Sequence, residues 1–510
     1  MVEMSKSNLK IKKILIANRG EIVKRVALSA KQLGIQTLGV FIESEKISGA
    51  LPFHCRFCDF SHQLEGETLQ ETYLNIKQII QVAKENQCDA VHPGYGFLSE
   101  NSSFAKELEK NNIIFIGPNV ESIDLMGSKK TSKDYVEKLG LPTIPGYQGD
   151  DQTFERFQTE AERIGYPVLL KASAGGGGKG MRMVADPKDL QDGFDAAKRE
   201  GLNSFGDDTL LIEKYLEDPR HIEFQVLSDS HGNHIHLYER ECSIQRRHQK
   251  IVEEAPSPTL LPELREKMGD ASVKLTSGLN YLGAGTIEYM VDKYHNFYFL
   301  EMNTRLQVEH PITEETTGVD LVKQQILIAA GEELALKQED IQPRQHSVEL
   351  RLYAEDPDNN FLPDTGKVHK IELPNYPGFR WDGGIESGSL ITVNFDPMCG
   401  KMVFTGQDRQ SAIALAIQVL EEMVFDGPKT NREYLLRILK HKAFLKAEIS
   451  THFIPNHAKE LESKDPTQQE MAASLAALNL IFKGSSASTD GANETADRSV
   501  WGNLGGFRNV

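Results

Sequence analysis

Short apolar runs alternate with helix-period stretches over the first 117 residues of the chain. Residues 13–17 (KILIA) are a continuous apolar run, broken by Asn18-Arg19-Gly20-Glu21 and followed by a helical pattern, which predicts strand, turn and helix. Residues 37–41 (TLGVF), 90–92 (AVH) and 113–116 (IIFI) predict three more strands, each reached through a helix-like segment. Strands that alternate with helices imply a parallel α/β sheet, and this first unit closes near Gly117-Pro118. Amphipathic helices follow over 122–140, then strands at 167–172 (PVLLKA) and 210–213 (LLIE). Longer alternating strands are predicted at 221–227, 234–239, 285–291 and 296–303. Residues 348–406 are again strand-rich, with Gly and Pro turns, and 412–423 predict a helix. The stretch 459–493 is rich in Lys, Glu, Ser, Thr, Gln and Ala, which predicts one helix around 469–483 in a flexible tail. A chain of 510 residues is expected to divide into two to four domains.

Charge narrows the partners. Acidic residues outnumber basic ones, 74 to 57, for a formal net charge of −17, a field that disfavours nucleic acid and anionic membrane. No apolar run approaches the length of a membrane span. Residues 1–13 have neither the apolar core of a secretory signal nor the Arg-rich pattern of a transit peptide. The five cysteines, Cys55, Cys58, Cys88, Cys242 and Cys399, are an odd and sparse set, which points to a reducing compartment; a cytoplasmic protein is expected. No second CxxC follows Cys55-Arg56-Phe57-Cys58, so this segment reads as a surface loop with incidental thiols, not as a zinc or redox site.

The strongest chemical signal is residues 301–310, EMNTRLQVEH. Its odd positions are Glu301, Asn303, Arg305, Gln307 and Glu309, and in an extended backbone these share one face. The approach, residues 297–300 (FYFL), is strongly apolar, so a polar face leaving it wants a partner in a cavity. Residues 285–291 and 296–303 read as a hairpin turning near Tyr294-His295, which sets Glu288 opposite Glu301. Like charges facing each other destabilise a sheet, and a bound cation reverses that sign. Two carboxylates completed by phosphate oxygens suit Mg²⁺ or Mn²⁺, and Asn303 can add a carbonyl oxygen.

A second signal is Lys171 followed by four glycines, 175–178, and Lys179. Glycines without Cβ atoms let backbone N–H groups approach phosphate, although the spacing is not that of a Walker loop. A third is the basic run 245–250 (QRRHQK), which in an acidic chain most simply binds an anion. Arg351, on the strand-like segment 349–354, carries no weight alone, and His92 reads as a structural histidine.

Together these segments resemble biotin carboxylase over about residues 10–453: IANRGEI, HPGYGFLSEN, the KASAGGGGKGM loop, EKYLEDPRHIEFQV, QRRHQKIVEEAP, GAGTIEY, FLEMNTRLQVEHPITE, RLYAEDP and DGPKTN occur in that order. The resemblance implies a multidomain α/β and α+β fold. It comprises a Rossmann-like N-terminal domain (1–117), an ATP-grasp domain (118–335, with a mobile lid at about 143–217), a β-rich C-terminal domain (344–453) and the tail 454–510. It implies ATP contacts from Lys129, Lys171, Gly176, Gly177, Gly178, Glu213, Lys214, Leu216, His221, Gln245 and His248. Glu288 and Glu301 would bind the metal, with Asn303 assisting. Lys250, Arg305, Gln307 and Val308 would hold bicarbonate, Glu309 would be its general base, and Arg351 would stabilise carboxyphosphate and the biotin enolate.

Departures are few. Ala174 stands where many relatives have Gly, Phe395 stands in a motif that usually carries Tyr, and residues 53–64 do not follow the family pattern. No Met-Lys-Met biotinylation motif and no carboxyltransferase region occur, so biotin is expected on a separate biotin carboxyl carrier protein, with a carboxyltransferase subunit and a second copy of the chain as further partners. Residues 501–508 resemble the linker after the carboxylase part of acyl-CoA carboxylase α chains. Acetyl-CoA, other acyl-CoA and pyruvate systems share this component. Other ATP-grasp ligases share the lid and metal carboxylates but not QRRHQK beside EMNTRLQVEH, and a catalytically silent scaffold subunit would not need the full charged set.

Overall fold

The computed structural model describes residues 10–47, 49–173, 181–247 and 249–463. The helix expected around 469–483 lies outside the described residues.

The first unit is a parallel sheet of five strands: β1 (Lys13–Ile16), β2 (Gln36–Phe41), β3 (Phe60–Gln63), β4 (Ala90–His92) and β5 (Ile114–Phe115). Their order is β3-β2-β1-β4-β5. The order reverses between β1 and β4, and in such sheets ligands bind beyond the carboxyl ends of the strands at that point. There Asn18 follows β1 and its amide donates to the carbonyls of Pro93 (2.7 Å) and Tyr95 (2.8 Å), tying the two loops together. Gly94 makes this closeness achievable: its φ is +66°, and a Cβ there would stand 2.7 Å from the Asn18 amide nitrogen.

The turn before β3 departs from the surface loop expected at Cys55-Arg56-Phe57-Cys58. Phe53–Phe57 forms a 3₁₀ turn packed on β2, and Cys55 is buried rather than on a surface loop. Both sulfurs press on Gly39, where a Cβ would meet Cys58 Sγ at 3.0 Å and Cys55 Sγ at 3.3 Å. Burial pushes the Cys55 thiol well up and Cys58 to about 12. Near neutral pH, iodoacetamide should leave Cys55 of the native protein unmodified and alkylate it fully in urea, as read by mass spectrometry. Equal labelling in both states would show that the packing is wrong.

The second sheet has four strands, β6 (Gly146–Tyr147), β7 (Val168–Ala172), β8 (Met181–Val184) and β9 (Leu210–Lys214), in the order β6-β9-β7-β8. The third is antiparallel and has eight strands. Its members are β10 (Arg220–Ser228), β11 (His234–Arg246), β12 (Gln249–Ala255), β13 (Gly283–Val291), β14 (Phe297–Asn303), β15 (His346–Tyr353) and the strands Phe379–Gly383 and Met398–Gly406. The pairing of β12 with β15 makes one continuous sheet of segments from both sides of residues 335–344.

This large sheet has two unlike faces because its strands alternate. Along β10, Ile222, Phe224 and Val226 turn to an apolar layer with Leu264, Met268 and Leu275 of the helix Pro262–Gly278. Glu223 and Gln225 turn to the other side, which is equally buried but polar. The helix His310–Thr317 covers that side against β11, β12 and β15. Arg240 of β11, fully buried, holds it together through Glu223 (2.5 Å), Gln225 (2.8 Å), Thr286 (3.0 Å) and Thr313 (3.0 Å). Buried polar groups are tolerated when satisfied in this way.

The hairpin of β13 and β14 pairs Glu288 with Glu301, as expected, with a register shift between Glu288 and Tyr289 that brings the two opposite each other. The expected strand through Glu309 is not formed: β14 stops at Asn303, residues 304–309 are a loop, and a helix begins at His310. The reason is the partner strand. Continuing the register would set Gln307 against Leu282 and Glu309 against Asn280, but Gly283 (φ +86°) and Asn280 (φ +47°) have already turned the chain there.

Candidate active site

A cleft of about 1030 Å³ opens where the three sheets meet. Its floor is the polar face of the large sheet, one end is the β1 and β4 loops, and the opposite wall includes Lys171 of β7 and Lys214 of β9.

Lys250 of β12 is the centre of the floor. Its ammonium lies 2.5 Å from Glu223, 2.9 Å from Glu288 and 2.7 Å from Glu309. Burial disfavours that charge, but three carboxylates outweigh burial and hold Lys250 well above the usual lysine range. Glu309 caps the helix His310–Thr317 without using its side chain on the helix amides. The carboxylate instead reaches Lys250 and, at 3.0 Å, Arg351 Nη2. Burial pushes Glu309 up, while Lys250, Arg351 and Arg240 outweigh it and hold the group well below the usual carboxylate range. Arg351 is itself gripped by Glu253 at 2.7 Å, and burial pushes Glu253 to about 7 against the pull of that arginine.

Glu288 is bonded on several sides. Besides Lys250 it accepts from Asn303 Nδ2 (2.8 Å) and Gln307 Nε2 (3.0 Å), and His221 Nε2 lies 2.6 Å away. Lys250 and His221 together overcome burial and keep it ionised. Glu301 across the hairpin is different. Its carboxyl group makes no hydrogen bond among the described residues, and burial followed by the charge of Glu288 pushes it up. A carboxyl group with open lone pairs beside an ionised one is what a divalent cation would stabilise, so the pair fits Mg²⁺ or Mn²⁺. One lone pair of the Asn303 amide oxygen is taken by Arg305, whose Nη2 donates to it at 2.9 Å, which leaves the other for a cation.

The structure brings most of the predicted residues to one place. His221, Gln245, Lys250, Glu288, Glu301 and Asn303 line the floor. The loop 304–309 adds Arg305, Gln307, Val308 and Glu309, and β15 adds Arg351. Lys171, Lys214 and Leu216 line the opposite wall. Glu213 and Lys129 do not line the cleft. Glu213 instead anchors Lys171 (2.5 Å) and Lys133 (3.0 Å), which bring its carboxyl, despite burial, to about 2. Lys129 opens the helix Lys129–Lys138 and its charge favours ionised Glu301. Gly176, Gly177, Gly178 and His248 lie outside the described residues. Arg305 is pinned by Glu100 at 2.8 Å, which gives the segment HPGYGFLSEN a role that its turn residues alone did not suggest.

Three family models match the chain in sequence. These are the biotin carboxylase N-terminal domain over residues 10–123, the carbamoyl-phosphate synthase L chain ATP binding domain over 128–337, and the biotin carboxylase C-terminal domain over 349–456. Biotin carboxylase 2 of Bacillus subtilis (strain 168) is 45% identical over 445 residues, which cover 87% of this chain and 99% of that protein. The chain belongs to the biotin carboxylase family.

A longer relative is the mitochondrial methylcrotonoyl-CoA carboxylase subunit alpha of Dictyostelium discoideum, 47% identical over 505 residues, or 98% of this chain and 71% of that protein. The chain spans 66% of the corresponding Rattus norvegicus subunit. Among solved structures, the biotin carboxylase domain dimer of Hydrogenobacter thermophilus 2-oxoglutarate carboxylase, in complex with MgADP, ADP and bicarbonate, aligns with a TM-score of 0.84 at 43% identity, over 89% of this chain and 99% of that one. The three-domain biotin carboxylase architecture is therefore shared, and the chain is an ATP-dependent ligase.

The polar face itself escaped the sequence reading. Glu223 and Arg240, both 0% exposed, organise the whole floor, yet in the sequence they are ordinary polar positions of alternating strands. The cue available was a pair of long strands whose polar positions are too acidic and too amide-rich for a face of unpaired groups.

Proposed function

We propose that this biotin carboxylase uses ATP to activate bicarbonate and places the carboxyl group on biotin carried by a separate protein. The observation that carries this reading is the position of Glu309: a buried carboxylate held at 2.7 Å by Lys250 and at 3.0 Å by Arg351, in one cleft with the Glu288–Glu301 pair. Bicarbonate entering beside Arg305, Gln307 and Val308 competes for the ammonium and guanidinium that Glu309 now occupies. Losing those donors raises the Glu309 pKa toward the range of a working base. Glu309 takes the bicarbonate proton, a bicarbonate oxygen attacks the γ-phosphorus, and ADP leaves. Lys250 and Arg351 then face the carboxyphosphate charge. Carboxyphosphate breaks to CO₂ and phosphate, the phosphate takes the proton from biotin N1, and that nitrogen adds to CO₂. A cation held by Glu288 and Glu301 would supply charge neutralisation at the phosphates.

ATP, Mg²⁺ or Mn²⁺, and carrier-bound biotin are the small-molecule requirements of this reading. A biotin carboxyl carrier protein, a carboxyltransferase subunit and a second copy of the chain are its partners. The acyl acceptor belongs to the carboxyltransferase step, since relatives sharing this component are named for methylcrotonoyl-CoA, 2-oxoglutarate and pyruvate. All five cysteines are free thiols, which suits a reducing compartment, and the cytoplasm is the proposed location. No helix among the described residues is long and apolar enough to cross a membrane.

The purified chain with Mg²⁺ should hydrolyse ATP only when bicarbonate is present, and faster when free biotin is added. Turnover driven by ammonia or an amino acid would assign it to another ligase class, and folded protein with no turnover would make it a scaffold.

A further inference from the structure

Behind the cleft stands a cation that the reaction scheme above does not use. Lys401, on the strand Met398–Gly406, is paired in register with Arg351 and is 0% exposed. Its ammonium donates to the Val308 carbonyl at 2.8 Å and lies 3.1 Å from Glu21 Oε1. Glu21 opens the helix after β1 and accepts a hydrogen bond from the Tyr95 hydroxyl. One ammonium thus joins the parallel-sheet unit, the 304–309 loop and the strand next to Arg351.

The contact falls on the peptide that immediately precedes Glu309. A peptide unit is planar, so fixing the Val308 oxygen also fixes the direction of the Glu309 N–H and the Cα from which the carboxylate projects. A side chain at a helix N-cap ordinarily secures itself on the first amides of the helix, but the Glu309 carboxylate makes no such bond and is spent on Lys250 and Arg351. The turn has to be held from elsewhere. Lys401 on the Val308 carbonyl and His310 Nδ1, 2.7 Å from the Gln307 carbonyl, are the holds on either side of it. A fully buried ammonium is a costly way to fill space, and an apolar side chain would pack there with less desolvation.

We propose that Lys401 is a positioning residue: through the Val308 carbonyl it aims Glu309 at the bicarbonate subsite. The inference rests on the carboxylase reading above. In the full chain, Lys401→Met keeps the stem and removes the donor. It should raise the KM for bicarbonate and lower kcat, each about tenfold, with the KM for ATP within about twofold, because a small misplacement of a reacting group is costly while the nucleotide wall is untouched. Lys401→Arg restores the charge and should recover part of the kcat, though not all, since a planar fork meets one carbonyl and one carboxylate differently from an ammonium. Unchanged bicarbonate kinetics in Lys401→Met would overturn the proposal. So would equal losses for ATP and bicarbonate with a lowered unfolding temperature, the pattern of a merely structural residue. If Lys401→Met does not fold, Lys401→Arg decides: a selective rise in the bicarbonate KM supports the role, and parallel shifts for both substrates remove it. A wild-type chain without bicarbonate-dependent hydrolysis overturns the carboxylase reading and this proposal together, whereas an active wild type matched by Lys401→Met overturns only the latter.

Discussion

Glu309→Gln should lose bicarbonate-dependent ATP hydrolysis by about 10²–10⁴-fold while binding ADP within about twofold of the wild type, the loss expected when a general base is removed from an otherwise intact site. Gln keeps the shape, and its single amide oxygen can still accept from one of the two cations, Lys250 or Arg351, while Glu223, Glu288 and Glu253 continue to hold both, so the floor of the cleft should persist. What disappears is the acceptor for the bicarbonate proton. Glu309 also makes a pH prediction whose sign is fixed. In the free enzyme its carboxyl is held well below the usual range by Lys250, Arg351 and Arg240 against burial. Bound bicarbonate draws on Lys250 and Arg351, which donate to Glu309, and adds a negative charge, and both effects raise that pKa. A base fails as pH falls through its pKa. The acid limb of kcat, which reports the bound state, should therefore lie at higher pH than the acid limb of kcat/KM for bicarbonate, which reports the free enzyme. Coincident limbs, or a Glu309→Gln variant with normal turnover, would remove Glu309 from the role of base.

The hairpin end of this site was legible because local rules govern it. A turn at Tyr294-His295 with alternation on both arms predicts Glu288 against Glu301, and the structure reaches that pair through a register shift between Glu288 and Tyr289. The bicarbonate end was legible in residue types but not in shape. Arg305, Gln307 and Glu309 alternate with Thr304, Leu306 and Val308 and so imitate a strand, but a strand needs a partner edge, and β13 has ended at Gly283. These residues reach the same cleft from a loop anchored by Glu100 on Arg305 and by Lys401 on Val308. Both anchors come from segments distant in sequence, which no local pattern reports. Residues 53–64 were opaque for a related reason. β3 is a short edge strand, mostly exposed, with no alternation to reveal it, and the burial of Cys55 comes from the glycine at position 39.

Lys250→Met should destabilise the native protein by about 3–5 kcal/mol near neutral pH, because it strands buried carboxylates that lose their common cation. The three groups concerned differ in their remaining support. Glu223 keeps Arg240 at 2.5 Å, Glu309 keeps Arg351 at 3.0 Å, and Glu288 keeps His221 at 2.6 Å. None of these partners replaces a charge at the centre of all three. The deficit should also depend on pH in a stated direction. In the wild type, Glu288 and Glu309 are held below their ordinary values, so the stability they contribute is present above the unfolded carboxylate range and is lost as pH falls toward their native values. Glu223 is already pushed up by burial, with Glu309 and Glu288 adding to it, and removing Lys250 moves all three groups upward. A variant whose native carboxyls titrate above their unfolded values binds more protons folded than unfolded, so its stability declines as pH rises through them. Urea unfolding at about pH 5.5 and about pH 8 should therefore show a gap between wild type and variant that widens toward the higher pH. A gap that stays constant would mean that Lys250 contributes packing alone. A gap that narrows would mean that the three carboxylates do not share its charge, and the electrostatic account of the cleft floor would fall with it.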